Sequence, residues 1–136
     1  MKLVTRDTDY AIRALCYIAE QKRSVITVTE MVEELKIPRP FLRKILQILN
    51  KESFLKSFKG KKGGFSLAAK PEKIYLTDLM KIFQGPIRLN ECIFKKKICP
   101  DRATCPLKKE LDSVEKGVID RLGKITVKSL LKKGSS

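Results

Sequence analysis

A mainly α-helical fold with one small β-hairpin is predicted for this chain from two features of its sequence. Apolar residues recur at steps of three and four along most of its length, as on the buried face of a helix. Between residues 53 and 68 this pattern gives way to two short apolar runs around a glycine- and lysine-rich tip. The 136 residues are enough for one domain with a modest core.

Three helices are predicted in the N-terminal part. The first spans residues 7–21, with Asp7 or Thr8 as its N-cap. The second begins after Thr27 or Thr29, and Thr27 with Glu30 fits a capping box. The third spans residues 41–50 and has proline in its first turn, where proline is tolerated. Two short helices with a tight connection, the second of them basic at its start, are typical of a helix-turn-helix.

The next stretch is predicted to form a β-wing. Residues 54–58 and 65–67 are the strand candidates, and the glycines of the intervening tip permit positive φ angles. With the preceding helices and a further helix over residues 75–84, capped by Thr77, this predicts a winged helix-turn-helix DNA-binding domain over residues 1–85.

The charge of the chain points to a polyanionic partner. Thirty Lys and Arg residues against fifteen Asp and Glu give a net charge of +15. Eleven basic but only two acidic residues lie between Lys36 and Lys73, in the part predicted to read a DNA groove. Nucleic acid is therefore favoured over a membrane surface. The predicted DNA-contacting residues are Arg39, Pro40, Arg43 and Lys44 on the third helix and Lys59, Lys61 and Lys62 on the wing.

The C-terminal part is predicted to be a dimerisation helix. Apolar residues recur over residues 107–125 in a stripe one residue wide, at Leu107, Leu111, Val114, Val118, Leu122 and Ile125. Such a narrow stripe suits a seam between two helices, and a homodimer seam is favoured over packing on the head. A short helix is expected within residues 126–131, and residues 132–136 are expected to form a tail.

Three of the four cysteines, Cys92, Cys99 and Cys105, lie in a lysine-rich loop at residues 86–106. Their spacings, Cys-x6-Cys and Cys-x5-Cys, lack the close pair usual in structural zinc sites. A disulfide would leave one thiol over, whereas three thiolates suit an iron–sulfur cluster completed by a ligand from elsewhere. Cys16 lies far from them and is interpreted as a small buried hydrophobic residue.

Enzymatic and membrane functions are disfavoured. The chain has no histidine to serve as the base that a cysteine nucleophile would need. Its longest apolar runs are too short to cross a bilayer, and its first residues do not resemble a secretory signal. A cytoplasmic location is therefore expected, where clustered cysteines more often serve metal or redox chemistry than structural disulfides.

Several motifs together resemble the Rrf-type winged-helix regulators of bacteria, the family that contains IscR, NsrR and RirA. They are residues 8–13 (TDYAIR), 37–46 (IPRPFLRKIL), the wing at 58–67 (FKGKKGGFSL) and the three-cysteine loop. The resemblance covers nearly the whole chain. It implies a homodimeric transcription factor that binds a palindromic operator. It also implies an iron–sulfur cluster, [4Fe-4S] or [2Fe-2S], held by Cys92, Cys99 and Cys105.

The resemblance leaves the fourth ligand to be identified. IscR-like members place a histidine three residues after the last cysteine, where this chain has Lys108. NsrR-like members use an aspartate near the start of the first helix of the partner subunit, and Asp9 matches that position, with N-capping as its alternative role. The function expected is operator binding controlled by a cluster that senses redox state, nitric oxide or iron supply. The alternative is a cluster-free regulator controlled by thiol oxidation, zinc or a partner protein.

Overall fold

The computed structural model describes residues 3–21, 24–87 and 106–131. Within these ranges it contains six α-helices, a two-stranded antiparallel sheet and a single 3-10 turn at Pro71–Lys73. The helices are α1 (Arg6–Glu20), α2 (Val28–Leu35), α3 (Arg39–Lys51), α4 (Leu76–Gln84), α5 (Pro106–Leu122) and α6 (Val127–Leu130). The strands are β1 (Leu55–Phe58) and β2 (Gly64–Leu67). The mainly helical fold with a β-wing is confirmed.

Helix α1 begins at Arg6, one residue before the predicted start at residue 7. Its N-cap is Thr5, whose hydroxyl accepts a hydrogen bond from the backbone N–H of Thr8 at 3.4 Å. The prediction of Asp7 or Thr8 as the cap was wrong, because both lie inside the first helical turn. In the first turn the negative charge of Asp7 still interacts favourably with the positive end of the helix dipole. The buried face of α1, which includes Ala11, Ala14, Leu15 and Ile18, forms the centre of the core.

Helices α2 and α3 form the predicted helix-turn-helix. The Thr27 hydroxyl caps α2 by accepting from the Glu30 N–H at 3.1 Å, which confirms Thr27 over Thr29. Lys36 ends α2 in the left-handed conformation, with φ of 59°. Pro40 lies in the first turn of α3, where its missing N–H leaves no helical hydrogen bond unmade.

The wing is attached to the head by a third piece of extended chain. Strands β1 and β2 pair from Leu55 with Leu67 to Phe58 with Gly64. Ile26, which precedes α2, exchanges two backbone hydrogen bonds with Phe65 at 2.8 and 2.9 Å. This pairing demands glycine at position 64, since a Cβ there would lie 2.2 Å from the Ile26 carbonyl oxygen. At the tip, Gly60 has φ of +104°.

The segment after α5 returns to the head. The backbone at residues 74–76 bonds to that at residues 125–127, from Leu76 N–H to the Ile125 carbonyl at 3.0 Å and from Val127 N–H to the Ile74 carbonyl at 2.9 Å. Val127 and Leu131 join the hydrophobic core. Residues 126–131 are thus part of the packed head.

Other helix ends also differ from the prediction, and α3 begins at Arg39 instead of 41. Helix α4 is capped by the backbone at Tyr75, with no side-chain bond, so Thr77 lies inside the helix. Helix α5 ends at Leu122 instead of 125, because a turn bonds the Ile125 N–H to the Leu122 carbonyl at 3.0 Å. That turn directs the chain back into the pairing with residues 74–76.

Candidate functional site

The exposed side of α3 carries four predicted DNA-contacting residues, Arg39, Pro40, Arg43 and Lys44. The opposite side of the helix is buried in the core through Leu42, Ile45, Leu46 and Leu49. Since the core fixes the rotation of α3 about its axis, the basic side is presented outward. The arrangement matches the use of a recognition helix in a DNA major groove.

Arg39 is connected to the neighbouring helix. Its Nη2 donates to the Thr29 hydroxyl of α2 at 3.2 Å. Thr29 therefore holds the side chain of a predicted DNA-contacting residue. From the sequence Thr29 was considered only as an N-cap, and this contact was not predicted.

The three predicted lysines of the wing, Lys59, Lys61 and Lys62, are all exposed at the hairpin tip. They lie in the five-residue connection between β1 and β2, so the short ribbon places three positive charges at its end. Lysine is a flexible point charge suited to phosphate contact.

Asp9 lies in the first turns of α1 and is paired with Arg13. The Arg13 Nε donates to Asp9 Oδ2 at 2.9 Å, across one helical turn, and both side chains are substantially exposed. This carboxylate is thus accessible and oriented. Its N-capping alternative is wrong, because Thr5 is the cap.

A hydrogen-bonded clamp centred on Gln84 attaches the start of α1 to the end of α4. Its Oε1 accepts from the Thr8 hydroxyl at 2.7 Å, from the Thr5 N–H at 3.0 Å and from the Thr5 hydroxyl at 3.3 Å. Its Nε2 donates to the Leu3 carbonyl at 2.9 Å. Thr8 is fully buried, so its hydroxyl cannot bond to water, and the clamp supplies it with a hydrogen-bond acceptor. The turn that carries Asp9 therefore lies beside the last helix before the cysteine loop.

Sequence reasoning missed this role of Gln84. The only local signal was a glutamine at the end of an amphipathic helix, followed by the Gly85 stop. Its partners lie about eighty residues earlier in the chain.

Cys92, Cys99 and Cys105 lie outside the described residues, as does most of the loop at 86–106. Among the residues that are described, no group of three ligand-type side chains could hold a metal ion. Cys16 is half-buried on α1, and its burial, with the nearby Glu20 charge, raises the pKa of its thiol to about 11. It therefore stays protonated at neutral pH and packs against the core, consistent with a structural residue.

Helix α5 presents an apolar surface that the head does not cover. It has no buried residue, and Leu107 and Val114 are 65% and 55% exposed. The remaining stripe residues, Leu111, Val118, Leu122 and Ile125, are only partly covered. Among the described helices, none is both long and apolar enough to span a membrane.

Comparison with known proteins identifies the family. The model of the Rrf2 family, described as iron-dependent transcriptional regulators, matches residues 4–133. The chain belongs to the Rrf2 family. Membership confirms the resemblance drawn from the sequence, and it identifies the chain as a transcriptional regulator with a DNA-binding winged helix and not an enzyme.

Individual Rrf2 relatives agree over nearly the full length. A candidate HTH-type transcriptional regulator of Aquifex aeolicus (strain VF5) is 32% identical, over 90% of this chain and 86% of its own. The regulator NsrR of Shouchella clausii (strain KSM-K16) is 30% identical, over 94% and 87% of the two chains. In structure, the chain is similar to CymR, the global cysteine regulator of B. subtilis, with a TM-score of 0.78 at 20% identity over 96% of each chain. It is also similar to T. potens IscR, with a TM-score of 0.73 at 22% identity over 98% and 88%.

Proposed function

We propose that this Rrf2 protein is a homodimeric bacterial regulator of the cytoplasm that binds a palindromic operator under the control of an iron–sulfur cluster. Cys92, Cys99 and Cys105 would hold the cluster, and Asp9 of the partner subunit would complete it. The domain division follows from this: residues 1–85 bind DNA, the loop at 86–106 holds the cluster, and residues 107–131 comprise the dimerisation helix and a C-terminal segment, whose residues 126–131 pack on the head. One observation supports the proposed DNA binding above all: the predicted basic residues are exposed both on α3 and at the tip of the wing.

In the operator complex Arg39, Arg43 and Lys44 would read the major groove. An arginine in bidentate contact with guanine contributes about 1–3 kcal/mol of discrimination. Lys59, Lys61 and Lys62 would contact phosphates from the wing, and they would supply affinity that falls as salt rises. Pro40 would make apolar contacts with the DNA at the start of α3, where it has no backbone N–H to leave unbonded.

Dimerisation is supported by the exposed stripe of α5. Apolar side chains as open as Leu107 and Val114 are stabilised when a second copy covers them. Since a palindrome requires two recognition helices about one turn of DNA apart, the α5 seam would set the spacing of the heads.

The available ligands fit an iron–sulfur cluster. The three loop cysteines supply thiolates, and their neighbours Lys95, Lys96 and Lys97 favour the ionised form. Asp9 supplies an exposed carboxylate oriented by Arg13, whereas the protonated Cys16 thiol does not compete as a ligand. When bound, the cluster would supply a centre that is altered by oxygen or nitric oxide, or absent when iron is scarce. The chain would transmit that difference through the end of α4 and the start of α5, which flank the loop in sequence.

The test is to purify the protein without oxygen and to measure iron, sulfide and visible absorption. Iron and sulfide in equal amounts are expected, with loss of both in Cys99→Ala. Asp9→Asn should keep the fold but change the spectrum and the sensitivity to nitric oxide. Cys16→Ala, the matched cysteine control, should retain the cluster. Equal operator affinity for the loaded and cluster-free protein would contradict control by the cluster.

The alternative proposal is a cluster-free regulator controlled by thiol oxidation, zinc or a partner protein. It is favoured by the similarity to CymR, whose solved structures include an oxidised form in Staphylococcus aureus, although at 22% identity this likeness concerns the fold. Here the purified protein would lack iron and sulfide. Peroxide would change operator affinity reversibly through Cys92, Cys99 or Cys105, or metal analysis would find zinc.

A further inference from the structure

We propose that Arg6 is a DNA-contacting residue, positioned by Phe41, that extends the DNA-binding surface to the start of α1. This inference rests on the operator binding proposed above. Arg6 is the first residue of α1 and its side chain is exposed. Its guanidinium carbon lies 4.5 Å from the centre of the Phe41 ring and 6.0 Å from that of Tyr10. Both distances fall within the range of a cation–π interaction.

Phe41 brings Arg6 to the recognition helix. Successive helical residues are turned by about 100°, so Phe41 and Arg43 lie on opposite sides of the buried Leu42. Phe41 is 40% exposed, on the flank of α3 that faces α1. The Arg6 guanidinium lies over this half-exposed ring, in the first turn of the proposed DNA-reading helix.

The two flanks of α3 are therefore built alike. On one side Arg39 is connected to Thr29 of α2 by its hydrogen bond. On the other side Arg6 of α1 is connected to Phe41 by its stacking contact. Each contact fixes an arginine at the border of the outward basic face, although the two arginines belong to different helices.

The Arg6 charge is available for a ligand. Its ion pair with Asp7 is long, at 3.9 Å from Nε to Oδ1, and both side chains are exposed. Such a pair contributes little and would yield to a phosphate. Stacking on a ring occupies the face of the guanidinium and leaves its N–H edge free for bidentate hydrogen bonds.

A phosphate oxygen is the expected partner. The flank of a helix lying in the major groove borders the sugar–phosphate rim, whereas base edges face its centre. The start of α1 is also held firmly, since Thr5 and Thr8 are bound by Gln84. An arginine fixed at both its backbone and its side chain loses little entropy on binding.

The experiment measures DNA affinity as a function of salt for wild type, Arg6→Gln, Arg6→Lys and Phe41→Leu. The probes are a 30-bp duplex selected by this protein from a random pool and a scrambled duplex of the same length. Arg6→Gln should weaken binding to both duplexes by about tenfold. Because this variant removes one phosphate contact, the slope of log K against log salt should fall in magnitude by about one. Arg6→Lys should keep the slope but recover only part of the affinity, and Phe41→Leu should act likewise.

Lys116→Gln is the matched control, because it removes one charge from the exposed α5 face opposite the apolar stripe. It should leave both slope and affinity unchanged. A wild-type slope and affinity in folded Arg6→Gln would overturn the inference, while weakened binding in Arg43→Gln would leave the proposed function standing. Failure of wild type to select any duplex would instead overturn the proposed function.

A chemical measurement on the wild-type protein guards against a folding defect in the variants. Phenylglyoxal modifies exposed arginines, and peptide mapping locates them. Bound duplex should protect Arg6 but not Arg13, which lies two turns further along the same face of α1. Full reactivity of Arg6 in the complex would contradict the proposed phosphate contact.

Discussion

The head and helix α5 differ in how they satisfy their apolar residues. Helices α1, α3 and α4 of the head each bury a stripe completely, and the return of Val127 and Leu131 closes the same core. Helix α5 has a comparable stripe and seventeen residues, yet buries none of them. The head therefore covers its apolar residues within one chain, whereas the apolar stripe of α5 stays open within one chain. Substitutions in the two regions should consequently differ in what they disturb.

The largest effect is expected from Val114→Glu on the open stripe of α5. A carboxylate in a seam between two helices would lose its water, at a cost of roughly 3 kcal/mol or more. The protein should become monomeric by light scattering, with operator affinity reduced about 100-fold or more. The thermal unfolding of the head should change little. Lys116→Glu, which adds the same group to the opposite face, should remain dimeric, and a dimeric Val114→Glu would contradict the proposed seam.

The second effect, Gly64→Ala, tests the head. The new Cβ would meet the Ile26 carbonyl oxygen at 2.2 Å, so the wing must separate from the strand-like segment before α2. We expect a decrease of roughly 2–4 kcal/mol in the free energy of unfolding, measured in urea. Ser57→Ala, on the exposed side of β1, should stay near wild type. A wild-type midpoint in Gly64→Ala would contradict the close approach.

The glycines show where sequence reasoning reached its limit. A glycine-rich tip predicts a hairpin, and the hairpin is present. Positive φ, however, explains Gly60 alone in that tip, while Gly64 is needed for space against a segment almost forty residues earlier. Periodicity found α2 and α3 because it is local. It could not find the Gln84 clamp, because the partners of Gln84 lie about eighty residues earlier in the chain. The sequence also predicted Asp7 or Thr8 as the α1 cap, whereas the cap is Thr5, which is bonded to Gln84.

The candidate site divides in the same way. Outward basic residues such as Arg43 and Lys61 were predictable, because charge and amphipathic pattern lie in neighbouring residues. The contact of Arg6 with Phe41 was not predictable, because the two residues lie thirty-five positions apart and their contact depends on how α1 crosses α3. The ligand role of Cys92, Cys99 and Cys105 stays a prediction from spacing and family resemblance.

A smaller effect is expected from Thr8→Val, which preserves shape but removes the buried hydroxyl bound to Gln84. The free energy of unfolding should fall by about 1–2 kcal/mol, since one accepting site on Gln84 loses its closest donor. Gln84→Leu and the double variant complete a mutant cycle. A coupling energy of at least about 0.5 kcal/mol is expected between the two side chains. Strict additivity would show that the clamp does not connect α1 to α4 energetically.

The smallest effect, and the one opposite in sign, is expected at Gly117 of α5. No atom lies within 4 Å of a Cβ added there, so alanine meets no obstacle in the described part of the chain. Because glycine costs about 0.5–1 kcal/mol relative to alanine inside a helix, Gly117→Ala should raise the stability of α5 by that amount. Amide hydrogen exchange of residues 112–122, at one protomer concentration, measures the gain directly. Slower exchange with unchanged dimer affinity would place Gly117 outside the seam. Weaker dimerisation would instead mean that the partner helix approaches at Gly117. The added methyl group meets no atom of its own chain in the described part, so a clash there would have to come from the partner subunit.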